Sequence, residues 1–124
     1  IVDDNPFNLL VVKQLVQKHC PDIYTATNGE EAIRVVTQQS QLKMPIRFIF
    51  MDLQMPVMDG YEATIKLRKM MKNGEIPSAP VYAISANDTE ADKQKCIEVG
   101  MEGHLSKPIL EKDLVRILKR YFVL

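Results

Sequence analysis

The sequence predicts an α/β fold in which a parallel sheet is covered by helices on both faces. Short apolar β-forming runs alternate with helix-length amphipathic segments along the chain, which is the pattern of βαβ units. The run IRFIFM at residues 46–51 is apolar at nearly every position, as a central parallel strand buried on both faces must be. Acidic, hydroxyl and lysine residues close the apolar runs, and open α/β sheets place their ligands beyond the carboxyl ends of the strands.

Taken in order, Ile1-Val2 reads as the remnant of a first strand, as if the chain were cut from a longer multidomain protein. Asp4 or Asn5 can cap a first helix with Pro6 in its first turn, and Leu9, Val12, Leu15 and Val16 recur at helical spacing until His19-Cys20-Pro21 ends it. Residues 23–26 form a short second strand. Asn28-Gly29-Glu30-Glu31 starts a second helix with Ala32, Ile33, Val35 and Val36 inward, closed by the polar run QQSQ.

The third strand, residues 46–51, delivers Asp52 at its carboxyl end, and the Pro- and Gly-bearing loop LQMPVMDG leads to a third helix over residues 61–72 stopped by Asn73-Gly74. VYAIS at residues 81–85 is a fourth strand. A fourth helix over residues 88–99 is stopped by Gly100, a short fifth strand covers residues 103–106, and a final helix covers residues 110–122. The expectation is five strands and five helices.

A chain of 124 residues suits one domain, here residues 1–124. Sixteen basic residues balance sixteen acidic ones, so no net field draws this segment to nucleic acid or an anionic membrane. Cys20 and Cys96 lie far apart without metal-ligand spacing, which suits two reduced thiols in a cytoplasmic setting. No apolar run reaches the roughly 20 residues that span a bilayer, so this segment is expected to be soluble, although a parent chain could carry an anchor elsewhere. Composition offers no dimer signature, and a monomer is expected, with phosphorylation a route to a dimer.

Asp3 and Asp4 follow the first strand, Asp52 the third, Ser85 ends the fourth and Lys107 follows the fifth. Three carboxylates gathered at one rim repel one another unless a cation compensates them, and hard divalent ions take oxygen ligands. Magnesium, which keeps its waters and accepts phosphate oxygens, fits this set, with manganese an alternative; the absence of His or Cys disfavours zinc. A carboxylate beside such a metal is a competent nucleophile, so Asp52 is read as one rather than as a mere strand terminus. Lys107 and Ser85 would supply positive charge and a donor to phosphoryl oxygens. Lys107 precedes Pro108, where a cis bond costs little and could turn the ammonium inward.

The stretches DDNPFN (residues 3–8), MDLQMPVMDGYEA (51–63) and GMEGHLSKPI (100–109) resemble the receiver domains of response regulators, above all those attached to hybrid histidine kinases. The resemblance covers almost the whole chain. It implies a flavodoxin-like doubly wound (βα)5 fold with strand order 2-1-3-4-5 and a truncated first strand. It also implies that Asp52 takes a phosphoryl group from the phosphohistidine of a histidine kinase or a histidine phosphotransfer domain. Asp4 and Asp52 would bind magnesium directly, Asp3 through water, and the Gln54 carbonyl would complete the set. Ser85 would move toward the phosphate and a strand-five residue would swing inward, a two-state switch. That position holds His104 where the family has Tyr or Phe. Gln54 and Asn87 occupy positions that tune water access to the acyl phosphate.

Two other chemistries fail on particular residues. A phosphatase of the haloacid dehalogenase class needs a second Asp where Gln54 stands, and a flavin mononucleotide site needs a Ser/Thr/Gly-rich loop where Asp3-Asp4 would repel the phosphate. The remaining alternative is a degenerate receiver that docks without being phosphorylated. The complete Asp, Ser and Lys set argues against it.

Overall fold

The computed structural model describes residues 1–20, 22–86 and 89–122. A parallel sheet of β1 (Ile49–Asp52), β2 (Val81–Ser85) and β3 (Gly103–Ser106) runs in that spatial order. On the far side of β1, Val2 makes parallel bridges to Ala26 and to Met51. The lateral order is therefore Ala26, Val2, β1, β2, β3, which is the expected 2-1-3-4-5. The first two expected strands are single bridges, and β1 begins at Ile49 rather than at Ile46. Pairing centres on Val2: Val2 N donates to Phe50 O at 2.8 Å, Asp3 N to Ala26 O at 3.0 Å and Asp52 N to Val2 O at 2.9 Å, and Ile1 extends it on one side, its N donating to Tyr24 O at 3.0 Å. Farther toward the amino ends, the same segments flank an apolar cavity of about 360 Å³ lined by residues including Ile23, Ile46 and Phe48.

Five helices cover the sheet: α1 (Pro6–Gln17), α2 (Gly29–Gln41), α3 (Gly60–Lys72), α4 (Glu90–Val99) and α5 (Glu111–Tyr121). Alternation along the strands sorts the core in two. Ile49, Met51, Val81 and Ala83 pack with Ala32 and Val36 of α2, Ala63, Leu67 and Met71 of α3 and Cys96 of α4. Phe50, Tyr82, Ile84 and Leu105 pack with Val12 and Val16 of α1 and Leu114, Ile117 and Leu118 of α5. Burial on both faces explains why β1 and β2 read as unbroken apolar runs.

Helix ends follow local capping chemistry. Asn5, not Asp4, caps α1, its Oδ1 accepting from Phe7 N at 2.9 Å and Asn8 N at 3.3 Å. Asn28 caps α2 through Glu31 N, and Asp59 caps α3 through Glu62 N. Thr89 caps α4, which starts at Glu90 instead of the expected residue 88; Asp88 lies outside the described residues, as do Asn87 and Pro21. Gly100 ends α4 at φ +98°, a left-handed conformation that glycine adopts without strain. Leu110 and Phe122 flank α5 rather than belonging to it.

Candidate phosphoacceptor and metal site

The expected residues meet at the carboxyl ends of the strands. Hydrogen bonding of Asp52 N to Val2 O brings the Asp3 and Asp52 side chains onto one level, and both are buried, at 2% and 3% exposure. Asp4 is exposed beside them. One carboxylate oxygen from each of Asp3, Asp4 and Asp52 lies within 4.8 Å of the others. Because Asn5 performs the capping, Asp4 is left free of that duty. Asp3 Oδ1 is held by Asn5 N at 2.9 Å, and Asp52 Oδ1 by Gln54 N at 3.3 Å.

Lys107 supplies the cation. Its Nζ lies 3.5 Å from Asp3 Oδ2 and 3.5 Å from Asp52 Oδ2, and the Lys107–Pro108 peptide is cis. The Lys107 backbone N donates to Ser85 O at 2.8 Å, tying the end of β2 to the residue after β3. Ser85 itself is buried at 3% and in register with Ser106. His104 is half-buried on β3 in register with Ala83, on the strand face opposite Leu105. The expected Ser85, Lys107 and three carboxylates are therefore brought to one rim, while His104 stands two residues before the carboxyl end of β3.

One ammonium against three carboxylates leaves the cluster short of positive charge among the described residues. The consequence appears at Asp52, whose carboxyl is pushed up to about 6, chiefly by burial and next by the Asp3 charge, with Lys107 opposing. A hard divalent cation on the exposed Asp4 side would relieve that repulsion, and all three available ligands are oxygens. The donor set thus fits magnesium.

A residue whose role the sequence did not disclose is Gly60, expected in the loop before the third helix and found as the first residue of α3. A Cβ at Gly60 would collide with the Asp52 carbonyl oxygen, and Gly60 N donates to Leu53 O at 3.1 Å. Only glycine lets α3 approach the acceptor strand so closely. The signal was the Gly immediately before an amphipathic run, which spacing alone could not distinguish from a turn.

The whole arrangement is that of a receiver, and the comparisons agree. A family model described as the response regulator receiver domain matches residues 1–119, and the chain belongs to that family. Its flavodoxin-like fold and its place in two-component signalling follow. The chain is 38% identical to Histidine kinase 3 of Arabidopsis thaliana over 98% of its length, and 31% identical to Hybrid signal transduction histidine kinase L of Dictyostelium discoideum over 98%. It spans only 13% and 7% of those relatives. The receiver domain of the histidine kinase CKI1 from Arabidopsis thaliana, solved in complex with Mg2+, superposes with a TM-score of 0.84 at 32% identity, over 96% of this chain and 87% of that one. A Saccharomyces cerevisiae receiver, that of Ssk1 crystallised with the histidine phosphotransfer protein Ypd1, gives 0.84 at 27% identity over 97% and 84%.

Proposed function

We propose that Asp52 accepts a phosphoryl group, with magnesium bound, from the phosphohistidine of a histidine kinase or a histidine phosphotransfer domain. The observation that carries this reading is the Lys107 ammonium set 3.5 Å from both buried carboxylates, Asp3 and Asp52. In the transfer, an Asp52 oxygen forms the new P–O bond while the phosphorus–nitrogen bond to the donor imidazole breaks and the electron pair stays on that nitrogen. Lys107 and the Ser85 hydroxyl would receive the phosphoryl oxygens. Burial keeps bulk water from Asp52, and the Gln54 N–H fixes one of its oxygens. Magnesium, held by Asp4, Asp52 and the Gln54 carbonyl with Asp3 acting through water, would neutralise charge on the phosphoryl oxygens.

The short lengths of its relatives that the chain spans support reading it as one domain of a longer hybrid histidine kinase. No described helix is long and apolar enough to cross a membrane, and Cys20 and Cys96 are both unpaired thiols, as a cytoplasmic setting allows. After incubation with acetyl phosphate and magnesium, intact mass should show one phosphoryl adduct that is absent with chelator and absent from Asp52→Asn. An adduct persisting in Asp52→Asn would overturn the assignment.

A further inference from the structure

Helix α4 is anchored differently from its neighbours. Cys96 is its one buried residue, whereas α3 buries Gly60, Ala63, Thr64, Leu67 and Met71, and α5 buries Leu114, Ile117 and Leu118. Polar contacts join α4 to α3 at both ends: Arg68 Nε donates to the Gly100 carbonyl at 2.7 Å where α4 stops, and a cluster centred on Tyr61 holds its first turns. The Tyr61 hydroxyl donates to Asp92 Oδ1 at 3.4 Å, and Lys95 Nζ lies 4.3 Å from the centre of the Tyr61 ring. Asp92 in turn belongs to the first turn of α4, where its Oδ2 accepts from the Thr89 hydroxyl at 2.8 Å and its N–H donates to Thr89 Oγ1 at 3.1 Å. Burial first, with Cys96 and Asp92 adding to it, pushes the Tyr61 phenol up to about 12, so it remains a donor throughout the physiological range.

The position of Tyr61 gives this cluster a second meaning. Tyr61 directly follows Gly60, which packs on the Asp52 carbonyl and bonds Leu53 O. One residue therefore joins the acceptor loop to the first turn of α4. An element held by few apolar contacts and a small polar cluster belongs to the low-stability end of a fold, where switching elements are found.

We propose that Tyr61, Asp92 and Lys95 form a latch that holds α4 against α3 in the unmodified domain and opens when Asp52 is modified, making Tyr61 a positioning residue for the switch. This inference rests on Asp52 being the acceptor. If the latch bonds exist in the unmodified state alone, removing one shifts the equilibrium toward the modified state by the factor that bond contributed. For one hydrogen bond that factor is about two- to tenfold.

The test is a titration with magnesium and beryllofluoride, a phosphoryl mimic, combined with hydrogen–deuterium exchange. Tyr61→Phe keeps the ring and its packing but loses the hydroxyl. It should bind the mimic about two- to tenfold more tightly than wild type and show faster exchange confined to Glu90–Val99. Asp92→Ala should likewise tighten mimic binding, although it also removes the acceptor of the Thr89 hydroxyl, and Asp92→Asn, which keeps one oxygen where two donors bond, should fall between Asp92→Ala and wild type. A combined Tyr61→Phe and Asp92→Ala variant should gain nothing over Asp92→Ala alone, because the bond that Tyr61→Phe removes is already gone. Mimic affinity unchanged or weakened in Tyr61→Phe would overturn the latch while leaving the acceptor assignment intact. A wild-type chain that binds no mimic would overturn the acceptor assignment and the coupling built on it.

Discussion

At the carboxyl ends of the strands Asp3, Asp52 and Ser85 are buried beside Lys107, while at the amino ends Phe48, Phe50, Tyr82, Tyr121 and Phe122 close on one another. Phe48 and Tyr82 stack at 5.2 Å, Tyr82 and Tyr121 meet edge-on at 6.0 Å, and their two hydroxyls share a hydrogen bond of 3.0 Å. The same sheet thus carries apolar aromatic packing at one end and carboxylates only partly compensated by Lys107 at the other. The aromatic end supplies stability and the acidic end gives some of it up, a division found where a strained site must be held ready for a ligand.

The largest expected effect lies at the aromatic end. Phe50→Ala should cost about 3 to 5 kcal/mol in urea unfolding, since a buried ring leaves both lost transfer energy and a cavity. Magnesium affinity of the fraction that remains folded should be unchanged, because Phe50 packs on the face toward α1 and α5. A parallel loss of magnesium binding would show that the two ends are not separable.

A smaller effect is expected from Gly60→Ala. The added methyl must displace the Asp52 carbonyl, and overpacking of this kind costs about 1 to 3 kcal/mol. Unlike Phe50→Ala, it should also weaken magnesium binding at least about tenfold, because the Gln54 loop that frames the site must move with it. Calorimetric titration of the folded variant checks this.

At the acidic end the sign reverses. Folding raises the Asp52 carboxyl from its ordinary 3.8 to about 6, so the folded chain holds that proton more tightly than the unfolded chain does. Metal-free stability should therefore fall as pH rises from about 4 to about 6, and this contribution should stay constant above that window. Asp52→Asn removes the burden. It should raise metal-free stability by about 1 to 2 kcal/mol at pH 8, after allowance for partial solvent screening, and the gain should vanish near pH 4. Magnesium should reverse the order, stabilising wild type and leaving the variant unmoved.

These contrasts explain what the sequence did and did not reveal. The strong apolar runs around Phe50 and Tyr82 announced β1 and β2, and the residues closing them announced the rim, because in a doubly wound sheet those positions converge whatever the loop details. The truncated first strand at Ile1-Val2 was legible, but the shortness of the pairing at Ala26 was not, since it depends on a neighbour rather than on local pattern. Asp4 and Asn5 were equal candidates for the α1 cap by composition; only the chain geometry, in which Asp3 turns inward and accepts the Asn5 N–H, decides for Asn5. The approach of Gly60 to Asp52 and the Tyr61–Asp92 contact join segments through tertiary packing, which periodicity does not encode.

Locating the phosphoryl group itself tests the central claim most directly. Wild-type chain treated with acetyl phosphate and magnesium, reduced with borohydride to trap the acyl phosphate, and digested for tandem mass spectrometry should carry the reduced side chain at Asp52. Reduction at Asp3 or Asp4 instead, or at none of the three although the chain is folded and binds magnesium, would contradict the account.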